Sequence, residues 1–251
     1  MDLGIAGRTA LVTGATSGLG RAAARSLAAE GCALAICARD AERLDSTAEE
    51  LSVLSGRPVL TRALDITDSR TLASFVDDTA PQIVVANGGS PPPGPVDAMT
   101  LDDYRAAAEA STLPHIGLAL AAMPHMRAAG WGRILLVGSE TARQPIPRYG
   151  LSSTMRPALL GFARSLVHSL GSSGITVNVL APGYHDTGGL RRSLGDEADD
   201  RLADIGRHIP VGRVGDAADF GAVVAFFAST YASFITGTCL LVDGGATKGI
   251  G

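Results

Sequence analysis

Residues 9–12 form a short apolar run that leads without a break into Thr13-Gly14-Ala15-Thr16-Ser17-Gly18-Leu19-Gly20, and an alanine-rich stretch follows over 21–30. Strand, glycine turn and helix in that order are what a bound dinucleotide requires. Glycine lets the backbone turn tightly and come close to the pyrophosphate, while the unpaired N–H groups at the helix start face the anion. The triad alone is a weak signal; the strand before it and the helix after it give it weight. Gly14, Thr16, Ser17, Gly18, Leu19 and Gly20 are therefore the expected phosphate-side contacts, against the alternative of a glycine-rich turn without a ligand.

Basic-residue usage removes a rival reading. Of 21 basic residues, Lys248 is the only lysine. A GxxxxGK[ST] phosphate loop cannot stand at residues 14–20, and ATPase or GTPase chemistry loses its support. The net charge of −4 argues against nucleic acid as a partner. No stretch approaches about 20 uninterrupted apolar residues, and no basic-then-apolar leader opens the sequence, so a soluble, cytoplasmic protein without a membrane partner is expected. Cys32, Cys37 and Cys239 read as buried free thiols rather than as a disulfide or a metal site.

Apolar runs recur at 8–13, 33–38, 58–64, 82–87, 133–138, 175–181 and 238–242. Helix-like segments lie between them near 18–30, 41–55, 68–80, 100–129, 151–172 and 216–229. This alternation predicts an α/β, doubly wound fold: a seven-stranded, mainly parallel sheet with helices on both faces. No linker interrupts it, and 46% apolar residues supply a large core, so one domain over 1–251 is expected. The segment Gly88-Gly89-Ser90-Pro91-Pro92-Pro93-Gly94-Pro95 can be neither helix nor central strand and is expected as a rim beside the nucleotide. Residues 184–209, with Gly188-Gly189 and many charges, read as a mobile substrate lid.

The spacing Gly14-x3-Gly18-x-Gly20 resembles the short-chain dehydrogenase/reductase family, and further marks extend the resemblance from residue 8 to residue 245. Asp65, in Ala63-Leu64-Asp65-Ile66, matches the family's adenine-side acid after the third strand, with Ile66 beside it as a further cofactor contact. Ala86-Asn87-Gly88-Gly89 is similar to its Asn-Asn-Ala-Gly segment, with Ala in place of the first Asn. Residues 178–183 followed by Thr187 look like its Pro-Gly-x-x-x-Thr element, built here on Pro182 and Gly183, whose threonine meets the nicotinamide carboxamide. Thr236-Gly237 and Val242-Asp243-Gly244-Gly245 resemble its C-terminal strand. The resemblance is nearest to 3-oxoacyl-carrier-protein reductase-like members. It implies a Rossmann-type fold, a nicotinamide cofactor, a small-molecule substrate and a homodimer or homotetramer.

Cofactor choice follows from charge. At the end of the second strand an acid would bind the ribose hydroxyls of NAD, whereas an arginine accommodates a 2′-phosphate. Ala38 stands where the NAD-type members carry aspartate, and Arg39 follows. A guanidinium can hold a phosphate as a fork. NADP(H) is favoured, with NAD(H) as the alternative; Ser17 adds no second positive charge, and an Arg39 merely solvated beside Asp40 and Glu42 is the competing account.

The chemistry departs from the family. The resemblance implies a serine, a tyrosine, a lysine four residues later and a distant asparagine. Ser139 holds the serine position; Ser152 stands for the tyrosine, Arg156 for the lysine and Ser111 for the asparagine. A serine hydroxyl is a far weaker acid than a phenol, which titrates near ~10, and arginine does not pass protons. Loss of a positioned acid forfeits about 10²–10⁴ in rate. Ser152 and Arg156, four apart, are expected to share a helix face and hold one oxyanion. Pro157 is expected to bend or start the helix there. Tyr149, His115, Tyr184 and His185 are substitute acids, each set against a packing or solvent role.

The reading is an NADP(H)-dependent oxidoreductase that reduces, or oxidises, a carbonyl or related group of a small molecule. Ser139, Ser152, Arg156 and Tyr149 are its expected catalytic residues. A cyclase, isomerase or dehydratase on the same scaffold, and a non-catalytic nucleotide-binding subunit, stand as alternatives.

Overall fold

The computed structural model describes residues 2–249. Seven parallel strands form the central sheet: β1 (Thr9–Thr13), β2 (Ala33–Ala38), β3 (Leu60–Ala63), β4 (Ile83–Ala86), β5 (Gly132–Val137), β6 (Ile175–Pro182) and a last strand, β9 (Cys239–Val242). Their order is β3-β2-β1-β4-β5-β6-β9. A two-residue pair lies apart, β7 (His185–Asp186) with β8 (Gly215–Asp216). The expected α/β, doubly wound sheet is present, with each predicted strand within two residues of its place.

Alternation along the buried strands builds two cores. Leu11, Val84, Ile134 and Val177 face one side, under α3 (Ser69–Thr79), α5 (Leu113–Ala129) and α6 (Gly150–Leu170). Val12, Ile36, Val85 and Leu135 face the other, under α1 (Gly18–Ala29), α2 (Ala41–Ser55) and α9 (Ala217–Ala228). Successive strand residues point to opposite faces, so a strand covered on both sides reads as one apolar run. The chain leaves β1 into one layer and β4 into the other. A crevice therefore opens between the carboxyl ends of those two strands, where ligands settle in such sheets.

The single helix expected over 100–129 is two, α4 (Leu101–Ser111) and α5, broken at Thr112 (φ −122°, ψ −57°). Pro114, at the second position of α5, has no N–H to return to Ala110 and disfavours helical backbone before it. The break lets Gly89 (φ +61°) run against the end of α4, where a Cβ would collide with the Ala110 carbonyl. Pro157 does not start α6: the helix begins at Gly150 and runs through the proline to Leu170. The segment 184–209 is mostly helical, with α7 (Gly188–Leu194) and α8 (Ala198–His208). Arg191 fastens this segment through Asp186 and Asp199. Cys32, Cys37 and Cys239 are buried and unpaired. Among the described residues, no helix is long and apolar enough to cross a membrane.

Candidate active site

The glycine turn and the β4 end are bolted together. Thr13 Oγ1 donates to the Asn87 carbonyl (2.6 Å) and accepts from Asn87 N (2.8 Å). Asn87 Nδ2 donates to the Thr13 carbonyl (3.2 Å) and the Gly14 carbonyl (3.4 Å). Gly14 adopts φ +60°, and a Cβ there would lie 2.8 Å from Asn87 Nδ2. Ser17, extended at φ −158°, precedes α1 without capping it through its side chain. The first N–H groups of α1 are left to whatever fills the crevice.

Two cavities meet at this cradle and share Gly14, Ser17, Asn87, Gly88 and Gly89 as walls. The larger, about 590 Å³, also gathers Thr16, Arg39, Asp65 and Ile66. The other, about 430 Å³, also gathers Gly18, Leu19, Pro182, Gly183 and Thr187. All the expected nucleotide-side residues except Gly20 line one or the other. Gly20 sits behind the turn, where a Cβ would collide with the Gly14 carbonyl.

Arg43, which sequence reasoning missed, is in the first cavity with Arg39. Asp40 caps α2 by accepting from Arg43 N (3.1 Å), and the Arg43 guanidinium donates to the Thr16 carbonyl (3.2 Å). Among the described residues neither Arg39 nor Arg43 pairs with a carboxylate. The second positive charge not found at Ser17 thus stands one turn into α2. The four-residue spacing from Arg39 was the available signal. Arg192, on α7, lines both cavities and was also missed. Asp65 Oδ1 accepts from Thr67 N and Thr67 Oγ1, both at 2.9 Å, and these bonds hold its carboxyl below the usual range. Thr187 Oγ1 caps α7 by accepting from Leu190 N (3.2 Å), which leaves its hydroxyl proton free to donate.

At the chemical end the structure separates residues that the sequence grouped. Ser139 accepts from Thr141 N (3.2 Å) and caps the 3₁₀ turn Glu140–Ala142. Ser152 Oγ bonds to Thr141 Oγ1 (2.8 Å). Arg156, on the same helix as Ser152, turns away into the interior. Its guanidinium donates to the carbonyls of Gly89 (2.5 Å), Val137 (3.1 Å) and Ser111 (3.3 Å). Ser152 and Arg156 thus hold different partners: the serine bonds to Thr141, and the guanidinium is engaged by carbonyls near the ends of β4, α4 and β5. Arg156 still forms part of the second cavity's wall.

Tyr149 precedes α6 rather than lying within it (φ −119°, ψ 43°), and Gly94 of the proline-rich rim pairs with it. Ser111 Oγ is turned back onto the Ala107 carbonyl (2.6 Å). His115 is fully buried beside Arg156; burial first, then that positive charge, push its pKa down to about 3. It is a packing residue. Tyr184 and His185 both reach the second cavity, though His185 Nδ1 is paired with the Gly183 carbonyl (3.1 Å) and its ring meets Phe220 edge-on. Glu140, directly after Ser139, is the other missed residue. It is buried against Gly183, and desolvation, then the charge of Asp243, push its pKa up to about 7.

The donor set suits a phosphorylated dinucleotide: backbone N–H groups at a turn that a Cβ would fill, and two guanidinium groups beyond the β2 end that meet no carboxylate among the described residues. Comparison with known proteins points the same way. Residues 14–247 match the family model described as enoyl-(acyl carrier protein) reductase. The 3-oxoacyl-[acyl-carrier-protein] reductase FabG of Salmonella typhimurium is 32% identical over 244 residues, covering 95% of this chain and 97% of that protein. The cis-4-hydroxycyclohexanecarboxylate dehydrogenase of Sinomonas cyclohexanicum is 35% identical over 256 residues, covering 98% and 99%. The crystal structure of L-sorbose reductase from Gluconobacter frateurii, complexed with NADPH and L-sorbose, superposes with a TM-score of 0.94 at 27% identity and covers 100% of both chains. The chain belongs to the short-chain dehydrogenase/reductase family of oxidoreductases, whose members act on alcohol and carbonyl groups.

Proposed function

We propose that this protein is an NADP(H)-dependent reductase of a small carbonyl compound, or the corresponding alcohol dehydrogenase in reverse. The observation that carries this reading is the pair of joined cavities. Arg39 and Arg43 stand in one, and Gly138 and Tyr184 line the other.

Gly14, Ser17, Gly18 and Leu19 let the backbone meet a pyrophosphate, with Thr16 on the same turn. Arg39 and Arg43 hold the 2′-phosphate, charge-assisted and fork-shaped. Asp65 and Ile66 bound the adenine side, and Asn87 and Gly88 form the floor between. Pro182, Gly183 and Thr187 face the nicotinamide, with the Thr187 hydroxyl proton as the donor to its carboxamide. Bound NADPH supplies the hydride. Ser139, through its hydroxyl, orients the substrate oxygen, and Ser152 holds Thr141 and so the turn that presents Ser139. Residues 184–209 cover the substrate as a lid that excludes water. Arg156 keeps the three element ends around the site in register.

One domain, a cytoplasmic location, a homodimer or homotetramer, and no nucleic-acid partner complete the reading. The non-redox alternative rests on the remodelled Ser152 and Arg156 positions. Deuteride from labelled NADPH separates the two. Label in the product, with NADPH consumed in step, is expected. Product formed without label and without NADPH loss would overturn reduction in favour of isomerase or cyclase chemistry.

A further inference from the structure

We propose that Arg192, on the helix that follows Thr187, clamps the pyrophosphate of the bound dinucleotide and so ties the 184–209 segment to the cofactor. The proposal rests on the NADP(H) reading above and adds the cation that the glycine turn itself lacks.

A pyrophosphate on that turn meets backbone N–H groups but no positive side chain, since residues 14–20 contain neither lysine nor arginine. Arg21, the next residue, pairs with Glu50. Arg39 and Arg43 stand in the larger cavity beyond the β2 end, and Arg156 is held by three backbone carbonyls. Arg192 is the one charged residue among the described residues that lines both cavities. The walls those cavities share are Gly14 and Ser17 of the turn and residues 87–90 after β4. Arg192 therefore borders the junction through which a dinucleotide passes from one cavity to the other.

Local structure sends the guanidinium toward that junction. Gly18, the first residue of α1 (φ +52°), packs on Thr187: a Cβ on Gly18 would stand 3.4 Å from Thr187 Cβ and Cγ2. This contact seats the start of α7 against the start of α1. Helical side chains lean toward the N-terminus of their own helix, and residues four apart are neighbours. Arg192 accordingly lies back over Gly188, where a Cβ would stand 3.4 Å from its Nη1. The helix itself is fastened by the preceding residue, Arg191, through Asp186 and Asp199. Arg192 is exposed and meets no carboxylate among the described residues. One arginine fixes the helix, and the next is left for an anion. A guanidinium grips phosphate oxygens as a charge-assisted fork, which a single N–H does not match.

Calorimetry with NADPH and with NADH tests the clamp, because both carry the pyrophosphate and only NADPH carries the 2′-phosphate. Arg192→Ala should weaken the two by the same factor, about tenfold or more, and leave the ratio between them intact. Arg39→Ala, by contrast, should weaken NADPH alone. NADPH dissociation followed by stopped-flow fluorescence should quicken by a similar factor in Arg192→Ala, since a lost contact acts mainly on the off-rate. Arg192→Lys should recover part of the affinity, keeping the charge without the fork. Arg201→Ala removes an equal charge from the same segment at a residue paired with Glu197 and outside both cavities, and should change neither affinity. If Arg192→Ala weakens NADPH and spares NADH, the residue belongs to the 2′-phosphate and the clamp is wrong. If it spares both while Arg39→Ala still weakens NADPH, the clamp is wrong and the NADP(H) reading stands. If the wild type binds neither cofactor, that reading fails and the clamp falls with it.

Discussion

Ser152 and Thr141 share a hydrogen bond of 2.8 Å between their hydroxyls, and Thr141 N in turn donates to Ser139. The two serines that the sequence assigns to catalysis are thus linked through a residue that it did not single out. Ser152 bonds to the 3₁₀ turn that Ser139 caps.

Removing that support should be mild. Ser152→Ala deletes one neutral hydrogen bond, about 1 kcal/mol of stability, and should lower kcat by less than about tenfold. Steady-state kinetics and a urea melt check both quantities. A hundredfold loss of kcat at unchanged stability would return Ser152 to direct chemistry.

Arg156 should behave as a brace. Arg156→Met leaves the carbonyls of Gly89, Ser111 and Val137 without their donor, and hydrogen bonds to a charged group contribute about 1.5–3 kcal/mol each. A loss of at least about 3 kcal/mol is expected in urea unfolding, with Arg156→Lys recovering only part because an ammonium lacks the fork. An unchanged unfolding midpoint, together with a raised KM, would instead place Arg156 on the substrate.

The cofactor preference should reside in two arginines. Calorimetry should show NADPH binding tighter than NADH, and Arg39→Ala and Arg43→Ala should each narrow the gap by roughly tenfold or more, at 1.4 kcal/mol per tenfold. NADH affinity should stay nearly constant in both variants. Equal affinity for the two cofactors in the wild type would sink the assignment.

Two buried groups give stability opposite dependences on pH. Glu140 has a folded pKa raised to about 7 from an ordinary 4.5, so the native state holds the extra proton between those values and stability falls as pH rises through them. Glu140→Gln should therefore gain on the wild type above pH 7, with the gap closing toward pH 4.5. His115 has its pKa depressed to about 3 from 6.5, so the unfolded chain binds the extra proton and stability falls as pH drops below 6.5. His115→Gln should flatten that acid limb. Urea midpoints measured against pH test both, and parallel wild-type and variant curves would show that neither group titrates as described.

Much of the fold was legible because its signals are local. The runs of β1, β2, β4, β5 and β6 announce themselves by largely apolar character, since a strand covered on both faces needs no alternation, whereas the edge strand β3, Leu-Thr-Arg-Ala, is mostly exposed. The break at Thr112 was hidden within an unbroken helical pattern. Pro114 was visible, but a proline near a helix start is as compatible with continuation past a bend as with a new helix.

The sequence by itself determined the doubly wound sheet and the glycine cradle, because each depends on the identity and spacing of neighbours along the chain. Tertiary structure alone decided where Arg156 points, that Arg43 joins Arg39, and that Glu140 meets Gly183 and Asp243. The physical reason is distance along the chain. The carbonyls that capture Arg156 belong to residues 89, 111 and 137, and the charge that raises Glu140 comes from residue 243. Burial and Coulomb interactions are set by the packed neighbours of a group, and no local pattern in the sequence carries them.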